Sequence, residues 1–234
     1  MAHGRVKSIL AAAAVLTFSL SLGAAAYDSA ERDGAMGVVG DANMRIALTF
    51  DDGPHPTYTP EILDILAEYN VKATFFVVGE NVRENPELIR RELEEGHEVG
   101  NHTYTHPCAL AKLSCDKLID EINDCEDAIF ETVDFRPHLF RPPGGANTCA
   151  VKRACSELGY TEVLWTVDTM DWNAKTSLDS ALKTVRGNVK DGSIILFHDY
   201  VGRKKPITAR ALRILLPELC SKGCEFVYAE ELIG

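Results

Sequence analysis

Arg45-Ile46-Ala47-Leu48-Thr49-Phe50-Asp51-Asp52-Gly53-Pro54, residues 45–54, joins a short apolar run to two adjacent carboxylates and a turn. The run reads as a buried β-strand, because β-branched and aromatic residues bounded by turn chemistry favour a strand. Similar runs recur at 73–78, 97–100, 138–140, 162–167, 193–197 and 225–228. Helical patterns fall between them. Thr59 and Pro60 form a start signal ahead of Ile62, Leu63 and Leu66, and Asn85-Pro86 repeats it, with Gly96 as the stop. Ser114 precedes Leu118, Ile122, Cys125 and Ile129, whose spacings of three and four place them on one helix face. Residues 150–158, 177–189 and 207–222 are further helices. Seven strands alternating with six helices predict a parallel α/β fold, either a closed or nearly closed barrel or a doubly wound sheet. In both architectures ligands bind at the carboxyl ends of the strands.

Polar residues gather at that end. Strand one runs into Asp51 and Asp52, and two buried carboxylates side by side need compensation, which a divalent metal supplies. By itself Asp-Gly-Pro also reads as a turn. Strand three runs into Asn101-His102-Thr103-Tyr104-Thr105-His106, and two imidazoles with one carboxylate make a three-ligand metal set. Thr103 stands where a zincin needs its Glu, so a base must come from elsewhere. Arg141-Pro142-Pro143-Gly144-Gly145 and Asp168-Thr169-Met170-Asp171-Trp172 follow strands four and five, and strand six ends in Ile194–Asp199. Each segment alone passes for a loop. Chance would put about half of such residues at the opposite, stability-bearing end of a barrel. His55 reads as a solvated turn residue, and His97 stands at the wrong end of its strand for catalysis.

Composition bounds the function class. The chain has 234 residues, 46 % apolar and 25 % charged, which excludes disorder, a collagen-like fibre and a coiled coil. A net charge of −11 argues against nucleic acid as a partner. Residues 1–26 carry a basic start (Arg5, Lys7), an apolar run and Ala24-Ala25-Ala26, the pattern of a secretory signal peptide. Membrane contact is expected only through that segment, if it is retained as an anchor. Residues 27–43 read as a flexible lead-in and 44–234 as one catalytic domain. Export makes disulfides permissible for the seven cysteines. Cys108 with Cys115, and Cys220 with Cys224, are near enough in sequence to pair, and Cys125 reads as a buried free thiol.

Taken in order, T-F-D-D-G-P at 49–54, H-T-x-x-H at 102–106, R-P-P-x-G at 141–145, D-x-x-D-W at 168–172 and I-x-L-x-H at 194–198 resemble the five motifs of the polysaccharide deacetylases. This is the NodB-homology group, carbohydrate esterase family four, and the likeness runs from about residue 44 to 230. It implies a distorted (β/α)7 barrel, TIM-barrel-like, in a single domain. It implies that Asp52, His102 and His106 hold a divalent metal, zinc first, with cobalt or nickel as alternatives. Asp51 matches the general base, Arg141 the residue that orients it, His198 the general acid and Asp171 the carboxylate that tunes His198. Gly144, Trp172 and Leu196 match substrate-binding positions, Gly144 through its backbone N–H. Many members have Tyr where this chain has Gly144.

The activity implied is metal-dependent hydrolysis of N-acetyl groups on N-acetylglucosamine polymers, with peptidoglycan first and chitin oligomers second. An O-deacetylase acting on acetylated xylan would use the same site, and a catalytically silent glycan-binding module is the non-enzymatic alternative. The signal pattern implies a secreted, cell-wall-associated protein.

Overall fold

The first strand, β1 (Arg45–Asp51), is buried from Ile46 onward because it is flanked on both sides and covered on both faces. It pairs in parallel with β7 (Ser193–His198) along its length, with β2 (Thr74–Val77) at its carboxyl end and with β8 (Glu225–Phe226) at its start. Side chains alternate across a strand. Ile46, Leu48 and Phe50 accordingly pack into the layer beneath the helices. Ala47 instead joins Phe76, Leu139, Val163, Ile194 and Ala229 inside the barrel. The computed structural model describes residues 44–201 and 206–233, so the signal and lead-in expected at 1–43 lie outside the described residues.

The remaining elements follow in chain order: α1 (Tyr58–Glu68), α2 (Gly79–Glu84), α3 (Pro86–Glu94), β3 (Glu98–Asn101), α4 (Cys115–Val133), β4 (Leu139–Phe140), α5 (Cys149–Leu158), β5 (Thr161–Glu162), β6 (Val167–Asp168), α6 (Leu178–Asn188) and α7 (Thr208–Ser221). All sheet pairs are parallel, in the order β5-β4-β3-β2-β1-β7-β6. This is the distorted (β/α)7 barrel. The helices are amphipathic and lay their apolar stripes on the strands. Ser114, Thr148 and Ser177 cap α4, α5 and α6 with their hydroxyls.

Four local expectations change. The run at 162–167 is not one strand but two short ones, because it changes partner midway. Val163 N–H bonds Phe140 on β4, whereas Thr166 N–H bonds Ile194 on β7. The carbonyls of Val163 and Leu164, between those points, accept from the Arg141 guanidinium. One stretch thus serves both edges of the barrel. Residues 79–84 form a helix where none is expected, and Asn85 makes no side-chain cap for α3. Thr59 lies inside the first turn of α1 rather than capping it. His55 performs that task, its Nδ1 accepting the Thr57 and Tyr58 N–H groups at 3.0 and 3.3 Å while its ring stacks on Tyr58.

All seven cysteines are free in this structure, including Cys108 with Cys115 and Cys220 with Cys224. Cys125 is buried on α4, points its thiol at the Val77 carbonyl, and burial pushes it up to about 12.

Glu92 on α3 is fully buried, and among the described residues neither carboxylate oxygen has a hydrogen-bond partner. Burial, reinforced by the charge of Asp199, pushes its carboxyl well above the usual range. The folded chain therefore holds a proton there that the unfolded chain releases above its ordinary pKa of 4.5. Stability falls as pH rises past that value. Glu92→Leu removes the buried polar group and is expected to stabilise the fold by about 1–3 kcal/mol near neutral pH. Thermal unfolding of both proteins across pH checks this: the gain in Tm shrinks toward pH 4.

Candidate active site

Five loops meet at the carboxyl ends of the strands, and each delivers part of one site. Asp51 is the last residue of β1 and faces the barrel interior. In an extended strand the next residue would face the helices. Asp52 instead adopts φ of 76°, which turns its carboxylate back over the barrel. Gly53 follows because no side chain fits there: a Cβ would overlap the Asp199 carboxylate. Asp199 holds the turn, its N–H donating to the Asp51 carbonyl (3.2 Å) and its carboxylate accepting from the Thr59 hydroxyl (2.5 Å).

The loop after β3 carries both imidazoles. His102 Nε2 lies 3.3 Å and His106 Nε2 3.1 Å from Asp52 Oδ1. His102 donates from Nδ1 to the Arg141 carbonyl at 2.6 Å, which leaves Nε2 as its acceptor nitrogen. Burial opposes ionisation of Asp52, but the imidazoles of His102 and His106 overcome it and hold the carboxyl well below the usual range. Asp52 Oδ1 is nevertheless a buried acceptor with no aligned donor. One donor atom from each of the three residues lies within 4.8 Å of the others. A carboxylate and two imidazoles converging around an orphaned oxygen fit a borderline divalent cation.

Arg141 follows β4 and is completely buried. Its guanidinium lies 4.1 Å over the Phe76 ring and donates to Thr49 Oγ1 (2.8 Å) and Asp51 Oδ1 (2.7 Å). Asp51 Oδ2 stays free to face the imidazoles, 3.7 Å from His102 Nε2. Burial lowers the Arg141 pKa somewhat, and the Asp51 charge opposes this, so the guanidinium remains a cation. Across the site, His198 ends β7, with its Nδ1 2.7 Å from Asp171 Oδ1 and its N–H donating to Asp171 Oδ2 at 2.9 Å. The Thr208 hydroxyl also donates to Asp171 Oδ2 at 2.7 Å. Burial alone would depress His198, but its hydrogen bond to Asp171 and the charges of Asp171, Asp51 and Asp52 raise it to about 9. His198 is therefore protonated at neutral pH.

A cavity of about 350 Å³ joins these groups. Asp51, Asp52, His102, His106 and His198 line it together with Gly144, Trp165, Asp168 and Trp172. Arg141 and Asp171 stand behind the lining. Leu196 does not reach it: the residue is 2 % exposed and sits two positions below His198 on the same strand face. Gly144 presents only backbone to the cavity, at φ of 64°, and a Cβ there would meet nothing within 4 Å. Trp165 and Thr208 have no place among the site residues expected from sequence, and Asp168, part of the 168–172 motif, has no role assigned there. Trp165 lies in the run that splits into β5 and β6, and an apolar run does not announce which tryptophan faces a cavity. His97 is at the opposite end, bound to the Ala73 N–H and depressed to about 4 by burial and Lys72.

Residues 40–163 match the family model described as polysaccharide deacetylase. A peptidoglycan-N-acetylglucosamine deacetylase of Bacillus cereus is 45 % identical over 190 residues, covering 80 % of this chain and 87 % of that protein. A peptidoglycan-N-acetylglucosamine deacetylase of Listeria monocytogenes is 43 % identical over 192 residues, 82 % of this chain; the match spans 39 % of the Listeria protein's length. An acetyl xylan esterase from Clostridium thermocellum, solved with a cobalt ion, superposes with a TM-score of 0.74 at 36 % identity, covering 80 % of this chain and 89 % of that one. With the family model spanning more than half the residues and the barrel carrying these side chains at its carboxyl end, the chain belongs to the polysaccharide deacetylase family.

Proposed function

We propose that this protein removes N-acetyl groups from N-acetylglucosamine polymers, peptidoglycan first and chitin-type oligomers second. The observation that carries the reading is the placement of two different proton-handling units on one cavity beside the Asp52/His102/His106 cluster. One is Asp51, held by Arg141; the other is a protonated His198, held by Asp171. A divalent ion held by Asp52, His102 and His106, zinc first with cobalt or nickel as alternatives, would supply Lewis acidity that makes water a nucleophile near neutral pH.

The chain's own residues do the rest. Arg141 engages Asp51 Oδ1, so Oδ2 is the oxygen that takes a proton from the attacking water. The Gly144 N–H faces the oxygen of the acetyl carbonyl as charge develops there, a contribution of about 3 kcal/mol for a well-placed donor. His198 gives its Nε2 proton to the sugar nitrogen as the C–N bond breaks, yielding acetate and a free amine. Asp171 holds the imidazole from the other side and keeps it charged. Trp172, 48 % exposed, forms the outer wall where a sugar ring enters.

The likeness to an acetyl xylan esterase supports a second reading, O-deacetylation of xylan. The proton stored on His198 favours the amide, since an amine leaves poorly unless protonated, while an alcohol is less dependent on an acid. The signal pattern at 1–26 supports export to the cell wall. Among the described residues no helix is long and apolar enough to cross a membrane.

Acetate release and product masses from peptidoglycan, chitooligosaccharides and acetylated xylan, measured side by side, test the reading. Loss of acetyl mass from the amino sugars, abolished by a chelator and restored by zinc or cobalt, is expected. Acetate from xylan alone moves the protein to the esterase reading, and none from any glycan overturns both.

A further inference from the structure

We propose that Glu121, on α4, is a positioning residue for the cation site: it clamps the loop that presents His106. The proposal rests on the reading that Asp52, His102 and His106 hold a divalent ion.

The two imidazoles are supported differently. His102 is 2 % exposed in its side chain and is oriented by its own bond to the Arg141 carbonyl. His106 is 36 % exposed, and among the described residues the only polar partner that another residue offers its ring is Asp52. Its other bond runs to its own backbone, so the direction of this ligand depends on that backbone. That backbone is strained: Thr103 and His106, neither of them glycine, adopt φ of 70° and 49°. Such conformations persist only when neighbouring contacts impose them.

Glu121 supplies those contacts between the two strained positions. Its Oε2 accepts the Tyr104 N–H at 3.1 Å and the Thr105 N–H at 2.9 Å, and its Oε1 accepts the Thr105 hydroxyl at 2.7 Å. The next residue of α4 is pinned to the end of β3, with the Ile122 carbonyl accepting from Asn101 Nδ2 at 2.8 Å. The clamp is therefore built on a fixed helix, one residue from His106. α2 holds the other side, Gly79 and Glu80 N–H donating to the Thr103 and Tyr104 carbonyls at 3.0 Å each. Glu121 touches neither the ligand atoms nor the cavity.

The test uses metal-free full-length protein titrated with Co²⁺ and Zn²⁺ by calorimetry, with thermal unfolding of the metal-free forms alongside. Glu121→Ala is expected to weaken ion affinity about tenfold, the low end of the cost of losing a group bonded directly to a ligand, while shifting metal-free Tm little. Glu121→Gln keeps one oxygen for both N–H groups and turns its amide toward the Thr105 hydroxyl, which then accepts. It is expected to bind ions within about threefold of the parent, because geometry rather than charge is preserved. Parental affinity in Glu121→Ala overturns the proposal alone. So does an equal loss in Glu121→Gln, or a fall in metal-free stability matching the lost affinity. Failure of the parent protein to bind either ion overturns the cation-site reading together with the proposal.

Discussion

Asp51→Asn is expected to keep the metal ion and lose turnover, whereas Asp52→Ala is expected to lose the ion. The two aspartates are adjacent in sequence, yet the left-handed backbone at Asp52 gives them different neighbours. Asp52 Oδ1 is the common point of approach for His102 and His106. Removing it leaves two imidazoles, one of them weakly held, as the whole donor set. Asp51 lies against Arg141 and is not among the three converging donors. An amide at that position still accepts from the guanidinium, so the buried cation keeps a partner and the barrel survives. The amide cannot take a proton from water, and loss of a positioned general base costs about 10²–10⁴-fold in rate. Metal content after exhaustive dialysis, measured with acetate release, separates the variants. Equal metal and near-parental turnover in both would refute the division of labour.

Asp171→Asn carries the second large effect. The Asp171 carboxylate receives the His198 ring N–H, the His198 backbone N–H and the Thr208 hydroxyl. Without its charge, only Asp51 and Asp52 still oppose burial, so His198 titrates well below about 9. The form that donates a proton is then depleted on the alkaline side of neutrality. The alkaline limb of the kcat profile is expected to move down from about 9, with turnover at pH 8 falling about tenfold or more. Stability changes with the same sign. A histidine raised on folding stabilises fully below its unfolded pKa and loses that contribution as pH rises through its folded one. In the parent the window is 6.5 to about 9, and the amount is on the order of 3 kcal/mol. The variant's Tm should fall less steeply across that window. An unchanged alkaline limb would assign the proton donor elsewhere.

Much of the site was legible because a parallel α/β barrel brings the carboxyl ends of its strands together. A local motif such as Thr49–Pro54 states both where a strand stops and which side chains arrive there. The three proposed ligands, the proposed base and acid, and Arg141 all lie in such stretches. What could not be read locally depends on partners far along the chain. Glu121 meets its loop 16 and 17 residues away. Thr208 reaches Asp171 across 37 residues. Leu196 belongs to a strand-end motif, but its depth below the cavity depends on how far β7 extends before His198. The His55 ring that caps α1 is packed by Tyr58 and also by Tyr200, which arrives from beyond β7.

The run at 162–167 shows the same limit in the fold itself. Its β-branched and aromatic residues predict extended backbone, and the backbone is extended at both ends. Propensity does not say which neighbour accepts its hydrogen bonds. Here β4 takes one end, β7 takes the other, and the Arg141 guanidinium takes the carbonyls between them.

Already legible in the sequence were most of the alternating strands and helices, the end of the barrel where polar chemistry collects, and the residue types available there. Those follow from short-range backbone preference and from the cost of burying unpaired charge. Which atoms face one another emerges in the folded barrel: one Asp52 oxygen gathers two imidazoles, Arg141 is engaged by Asp51 and the barrel seam, and His198 keeps its proton against Asp171. Those are matters of angstrom-scale distance in a low-dielectric interior, where attraction falls steeply with separation and burial decides which charge survives.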